Sequence, residues 1–151
     1  MAYWLVKSEE HIYSIGDLKR DRVTSWDCIR NYQARNYLRE FAVGDRVLFY
    51  HSSSEPTGIG GLAKVARKAQ PDQTQFDPKS EYFDPKATKA APRWFSPELQ
   101  FEKLFTEFIT LAELRKVAAL KKMVLLQRGS RLSVQPVTAA EFSAILKLAD
   151  A

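Results

Sequence analysis

Ser25-Trp-Asp-Cys-Ile-Arg-Asn-Tyr-Gln-Ala-Arg-Asn-Tyr37 gathers Trp26, Arg30, Asn31, Tyr32 and Arg35 within ten positions, at what reads as the start of a helix. Indole and phenol rings offer flat π faces, an asparagine amide sets a donor beside an acceptor, and guanidinium groups carry charge in a planar fork. Proteins use these groups to stack on a base, read its edge and hold its phosphate. The structural alternative is a core indole followed by residues that cap and solvate a helix; the stretch alone leaves both readings open. Just downstream, Ala34, Tyr37, Leu38 and Phe41 follow the i, i+3, i+4, i+7 spacing of a buried helix face. Tyr32, Arg35, Asn36 and Arg39 then gather on the opposite side, and two arginines, an amide and an aromatic favour a binding face over plain solvation. Gly44 is expected to end this helix at positive φ.

Outward from the helix, Tyr3–Lys7 is a short aromatic and branched run that reads as a first strand. Ser14 with Asp17, Thr110 with Glu113 and Thr138 with Glu141 each repeat the spacing of a capping box at a helix start. Each has an apolar pair at staple spacing: Tyr13 with Leu18, Ile109 with Leu114, Val137 with Phe142. Asp45–His51 is apolar on both faces, as a strand covered on both sides would be. Ile59–Arg67 reads as the next strand, with Gly60 and Gly61 marking a bulge or a close backbone approach. Further strands are expected within Arg93–Phe105 and near Leu125–Val137, and a final helix buries Phe142, Ile145, Leu146 and Ala149. Between the strands, Gln70–Pro92 carries prolines at 71, 78, 85 and 92, and Phe76-Asp-Pro-Lys79 recurs as Phe83-Asp-Pro-Lys86. Its aromatics argue for an ordered flap packed across one edge of the sheet.

The 151 residues fit one domain. A net charge of +5 gives mild support to an anionic partner. Cys28 is the only cysteine, so no internal disulfide forms, which favours a reducing compartment. The first ten residues lack the pattern of a secretory signal, and no window approaches the ~18 apolar residues of a membrane span. The expectation is a soluble intracellular protein.

Several chemistries lack their residues. His11, His51 and Cys28 cannot assemble a four-ligand Cys/His zinc site. Gly58, Gly60 and Gly61 are not followed by the Gly-Lys-Ser/Thr of a phosphate loop, and Gly-x-Ser-x-Gly is absent. His51 and Ser52 are adjacent on a strand and point to opposite faces, a poor geometry for a nucleophile and its base; a hydrogen-bonding role at the strand end is expected. Asp72, Asp77 and Asp84 match no cation-binding loop and read as turn starters. Lys64, Arg67, Lys68, Arg128 and Arg131 suit a phosphate backbone or a solvated surface equally. Trp4 and Trp94 read as core residues.

Tyr3-Trp-Leu-Val-Lys-Ser-Glu9, Trp26-Asp-Cys-Ile-Arg-Asn-Tyr-Gln-Ala-Arg35, Gly44-Asp-Arg-Val-Leu-Phe-Tyr-His-Ser52 and Arg131-Leu-Ser-Val-Gln-Pro-Val137 resemble, in order and spacing, the signature blocks of EVE-domain proteins. Pro71-Asp-Gln-Thr-Gln-Phe-Asp-Pro78, Tyr82-Phe-Asp-Pro-Lys86 and Pro92-Arg-Trp94 match as well. That family belongs to the PUA-like superfamily, beside the YTH domains that read methylated adenine in RNA. The resemblance implies one EVE domain over residues 1–151, of α+β class: a small β-barrel or strongly curved mixed sheet surrounded by four to five helices. It implies a non-catalytic module that reads a modified base in DNA or RNA, methylated or hydroxymethylated cytosine among the candidates, extruded into an aromatic-walled pocket. Lys7, Ser8, Trp26, Asn31, Tyr50, His51, Ser52, Ser133 and Gln135 would form that pocket, while Arg30, Arg35 and Arg39 hold the backbone. No catalytic residue, cofactor or metal is implied, and the expected form is a monomer with room for a protein partner. The expected location is the cytoplasm with access to the nucleoid in a bacterium, or the nucleus in a eukaryote. Two alternatives are an RNA-binding module that extrudes no base and a nucleic-acid-modifying or hydrolytic enzyme using His51. The chain departs from the family pattern at Glu10, where proline is common, and at Cys28, where glycine is common and a side chain now stands beside the stacking wall.

Overall fold

The computed structural model describes residues 1–150. In chain order the strands are β1 (Tyr3–Ser8), β2 (Val23–Ser25), β3 (Arg46–His51), β4 (Gly58–Pro71), β5 (Phe95–Thr110) and β6 (Val134–Val137). The helices are α1 (Ile15–Asp21), α2 (Tyr32–Glu40), α3 (Leu111–Arg115) and α4 (Ala139–Asp150), with short 3-10 turns at Gln73–Phe76, Ala118–Leu120 and Val124–Leu126. The six strands form one mixed sheet in the order β2-β5-β4-β3-β1-β6, with β1 parallel to β3 and the remaining pairs antiparallel. This is the expected curved mixed sheet with four helices; the outermost strands do not pair, so it is not a closed barrel.

Local signals explain most of these elements. All three capping boxes form, with the hydroxyl accepting from the third backbone N–H and the carboxylate accepting at the cap. Curvature enters through β4 and β5, whose register shifts at four places. Gly61 sits at one of them, and a Cβ there would lie 2.3 Å from the Lys103 carbonyl oxygen, so the strands approach too closely for any side chain. Gly44 has φ +94 as expected, but α2 has already ended at Phe41. The glycine instead serves the tight turn in which the Asp45 N–H bonds the Ala42 carbonyl, ahead of β3.

Strand alternation divides the core between the two faces of the sheet. On one face Leu5, Leu48, Tyr50 and Val137 pack beneath α3, α4 and the 3-10 turns at Ala118–Leu120 and Val124–Leu126. On the other, Trp4, Val6, Val47 and Phe49 pack against α1, α2 and Trp26. Trp4 is a core residue as expected, and its indole N–H donates to the Asp45 carboxylate at 3.0 Å.

Candidate functional site

The same alternation separates residues that the sequence reading placed together. Ser8 and His51 follow Val6 and Phe49 onto the Trp26 face, whereas Lys7, Tyr50 and Ser52 belong to the other. Two cavities result, one on each side, meeting at the C-terminal end of β1, where Lys7 lines both.

The cavity on the Trp26 side encloses about 610 Å³, within the range of small-ligand sites. Trp26 is 8% exposed and packs edge-on to Phe49, with ring centroids 5.4 Å apart, so the core fixes its orientation. Tyr13 and Tyr82 also line the cavity, giving three aromatic side chains around one space. Ser8, Thr24 and Ser25 add hydroxyls, Glu9, Asp27 and Glu81 add carboxylates, and Ile12 and Ile29 add apolar surface. Tyr13, Glu9, Asp27, Glu81 and Tyr82 are additions to the expected pocket. The Tyr82 block was visible in the sequence, but nothing there shows that it folds back to face Trp26.

Cys28 lines the same cavity and has φ 66, the left-handed conformation that glycine tolerates best. Burial first, then the Asp27 carboxylate, push its thiol up to about 12, so it stays protonated. Its backbone N–H donates to Asp72 Oδ2 at 2.8 Å. Asp72, 1% exposed, also accepts from the Thr74 N–H, the Thr74 hydroxyl and Arg30 Nη1. Burial alone would raise its carboxyl; the hydrogen bonds from Thr74, Cys28 and Arg30 outweigh that and hold it below the ordinary range.

Arg30, expected on a nucleic-acid backbone, is tied to the flap in this structure. Its nitrogens donate to the Tyr82 carbonyl, Thr74 Oγ1, the Ile29 carbonyl and Asp72. Its guanidinium also lies over the rings of Tyr82 and Trp94, at 5.5 and 5.3 Å. The flap is ordered, and it closes on the segment after edge strand β2. Within it the Gln75 side chain bonds four backbone groups, at Asp72, Arg93 and twice at Trp94. Asp77 and Asp84 are turn residues as expected, accepting from the N–H groups of Lys79 and Lys86. Trp94 is buried in this flap, stacked on Tyr32, with its indole N–H on Asp84.

The remaining expected site residues lie outside this cavity. Asn31 caps α2, its Oδ1 accepting from the Ala34 N–H at 2.9 Å. Arg35 lies over Tyr32 at 4.8 Å and donates to the Arg93 carbonyl and Asn36; Arg39 lies over Phe95 at 4.4 Å. Tyr50 and Ser52 line the second cavity. Ser133 offers its carbonyl to the Lys7 N–H, and the buried Gln135 donates to the Leu132 carbonyl. Burial keeps His51 below its usual value, hence neutral; its Nε2 accepts the Ile15 N–H at 3.1 Å and its Nδ1 faces Glu10 at 3.9 Å. It holds the first turn of α1, the hydrogen-bonding role expected at a strand end. Among the described residues no group of three or more His, Cys, Asp or Glu is placed to hold a metal, and no helix is long and apolar enough to cross a membrane.

The open mixed sheet, with an aromatic-lined cavity beside one end of β1, matches the PUA-like class of fold. The EVE-domain model matches residues 2–148, and the chain belongs to the EVE-domain family. Human thymocyte nuclear protein 1 is 40% identical over 166 residues, which cover 97% of this chain and 73% of the human protein. A crystal structure of a Pseudomonas syringae protein superposes with a TM-score of 0.93 at 47% identity, covering 98% of this chain and 99% of that one. The crystal structure of human THYN1 protein in complex with DNA containing 5-methylcytosine superposes at 0.90 with 40% identity, covering 100% and 99%. A YTH domain of Zygosaccharomyces rouxii shares the fold at a TM-score of 0.56 and 15% identity, covering 98% of this chain and 86% of that domain.

Proposed function

We propose that this chain is a non-catalytic reader of a modified base, with 5-methylcytosine in DNA as the leading ligand and the Trp26 cavity as the receptor for the extruded base. One observation carries the reading: three aromatic side chains and three carboxylates surround one cavity in a chain 40% identical to a protein described in complex with DNA containing 5-methylcytosine. Stacking on one aromatic recovers ~1–3 kcal/mol, against the few kcal/mol needed to unstack a base in a duplex. A carboxylate is the natural acceptor for the exocyclic amine of cytosine, so Glu9, Asp27 and Glu81 favour an amino base over thymine. His51 lies outside both cavities with Nε2 already engaged, which suits binding better than turnover. The reading puts the protein where the DNA is, at the nucleoid in a bacterium or in the nucleus in a eukaryote.

The test is fluorescence polarisation with matched DNA and RNA oligonucleotides carrying cytosine, 5-methylcytosine, 5-hydroxymethylcytosine, adenine or N6-methyladenine at one position. Burying a methyl group is worth about 0.8 kcal/mol, so a preference of about fourfold or more for 5-methylcytosine over cytosine is expected. Trp26→Ala should abolish it. Because Trp26 is also a core residue, Tyr82→Ala serves as a second variant that leaves the sheet core intact, and it should weaken the same preference. Equal, salt-sensitive binding of every oligonucleotide, unaltered by either variant, would overturn the reading in favour of an RNA- or DNA-binding surface that extrudes no base.

A further inference from the structure

The sequence places its charge unevenly. Residues 114–140 contain six basic side chains (Arg115, Lys116, Lys121, Lys122, Arg128 and Arg131) and no acidic one, leaving 17 basic against 18 acidic residues elsewhere. The whole positive excess of the chain therefore sits in the segment from α3 to β6. Among the described residues none of these six forms an ion pair, whereas Arg30, Arg46 and Arg67 are matched to Asp72, Glu102 and Glu98.

This segment walls the second cavity. The cleft measures about 590 Å³ and is lined by the cations of Lys7, Arg115 and Arg128 and the hydroxyls of Ser52, Thr57 and Ser130, with no carboxylate. Arg115 and Arg128 are exposed, while Lys7 is half-buried and its ammonium is held below the ordinary lysine value by burial. Unpaired cations held beside hydroxyl donors are the arrangement that phosphate oxygens satisfy. The Trp26 cavity has the opposite balance, with three carboxylates and one cation. Lys7 lines both, so the acidic and basic cavities adjoin at the end of β1. An amino-bearing base suits the first, and a phosphodiester suits only the second.

We propose that the cleft of Lys7, Arg115 and Arg128 holds the phosphodiester backbone of the strand whose base occupies the Trp26 cavity. The path rests on the base-reading function above, and it moves the backbone contact from the expected α2 face to the α3–β6 segment. Arg30 and Arg35, expected to hold phosphates, already donate to backbone carbonyls of the flap and its neighbour Arg93.

The experiment measures affinity for a single-stranded oligonucleotide containing 5-methylcytosine, and for its unmodified twin, across a salt series. Each phosphate contact contributes about 0.7 to the slope of log affinity against log salt for a single strand. The double variant Arg115→Ala/Arg128→Ala should flatten that slope by roughly 1.4, while leaving the ratio of modified to unmodified affinity unchanged. Arg35→Ala/Arg39→Ala should leave the slope at its wild-type value. A wild-type slope in the first variant, or a flattened slope only in the second, overturns the proposal. So does saturable binding of cytidine monophosphate that Arg115→Ala/Arg128→Ala abolishes while the oligonucleotide slope stays fixed, since the cleft would then take a free nucleotide. Failure of the base reading registers separately, as a modified-to-unmodified ratio of one in the wild-type protein.

Discussion

Removing the Asp72 carboxylate should unfasten the flap from the cavity wall at a measurable cost. Asp72→Ala deletes the acceptor of four hydrogen bonds: from the Cys28 N–H at 2.8 Å, the Thr74 N–H at 2.8 Å, the Thr74 hydroxyl at 2.6 Å and Arg30 Nη1 at 3.1 Å. A buried ion pair broken on one side costs about 3–5 kcal/mol, and each orphaned buried donor about 1–3 kcal/mol. Arg30 keeps the Tyr82 carbonyl and the Thr74 hydroxyl, and its side chain is one-fifth exposed, so the lower end applies. The expected loss is about 3 kcal/mol, or roughly 6–12 °C in Tm for a chain of this size. Urea and thermal unfolding would measure it, and Asp72→Asn, which keeps the shape without the charge, should fall between variant and wild type. The pH dependence carries the same signature. The folded carboxyl lies below its ordinary value of 3.8, so its stabilisation is complete above that pH and lost as pH falls through the folded value. Asp72→Ala should therefore flatten the acid limb below 3.8. A loss under about 1 kcal/mol would refute the reasoning, because an orphaned buried donor alone costs that much.

Four further outcomes are expected. His51 is buried neutral with its folded value below 6.5, so the unfolded chain binds the extra proton, and stability should fall as pH drops below 6.5 toward the folded value. Thermal melts of His51→Gln should lose that slope; an unchanged slope would assign it to other groups. Gly61→Ala forces a Cβ to within 2.3 Å of the Lys103 carbonyl and should cost about 1–3 kcal/mol in urea unfolding. Gly16→Ala, in α1 with its nearest contact at 3.4 Å, should be neutral or stabilising by about 0.5–1 kcal/mol. The Cys28 thiol, raised to about 12, should react with iodoacetamide at pH 8 at least ~10-fold more slowly in the folded protein than in urea; equal rates by mass spectrometry would contradict its burial.

What the sequence made legible follows the range of each signal. Capping boxes act over three residues, and all three formed where the spacing placed them. The strands of β1 and β3 to β5 were visible as apolar runs, but β2 is only three residues long and shows no pattern of its own. Trp26 was found because an indole between Ser25 and Asp27 is unusual in any connection. The ties of Arg30 to the flap were not legible because Asp72 and Tyr82 lie 42 and 52 residues away, where no local pattern reports them. The expected pocket residues divide between two places for a reason the sequence did contain: Tyr50 and His51 are neighbours on a strand and face opposite ways, so Tyr50 lines the second cavity while His51 bonds the start of α1. Of the basic cleft the sequence shows the cations, Arg128 among them, but not that Lys7, more than a hundred residues away, lines the same cavity.

The position of β1 between β3 and β6 has a consequence for how the chain is made. Tyr3 pairs with Arg46 on one side and with Val137 on the other. Synthesis runs from the N-terminus, and domains begin to fold as they emerge, so the first partner is available long before the second. Until residues 134–137 appear, β1 presents an unpaired edge, and the core over Leu5 lacks Val137, Phe142 and Ile145. Contacts that span so much sequence form slowly. The nascent chain thus carries its β1 edge open while the residues between β3 and β6 are made, the interval in which a chaperone has a strand to protect and a neighbouring chain has one to capture.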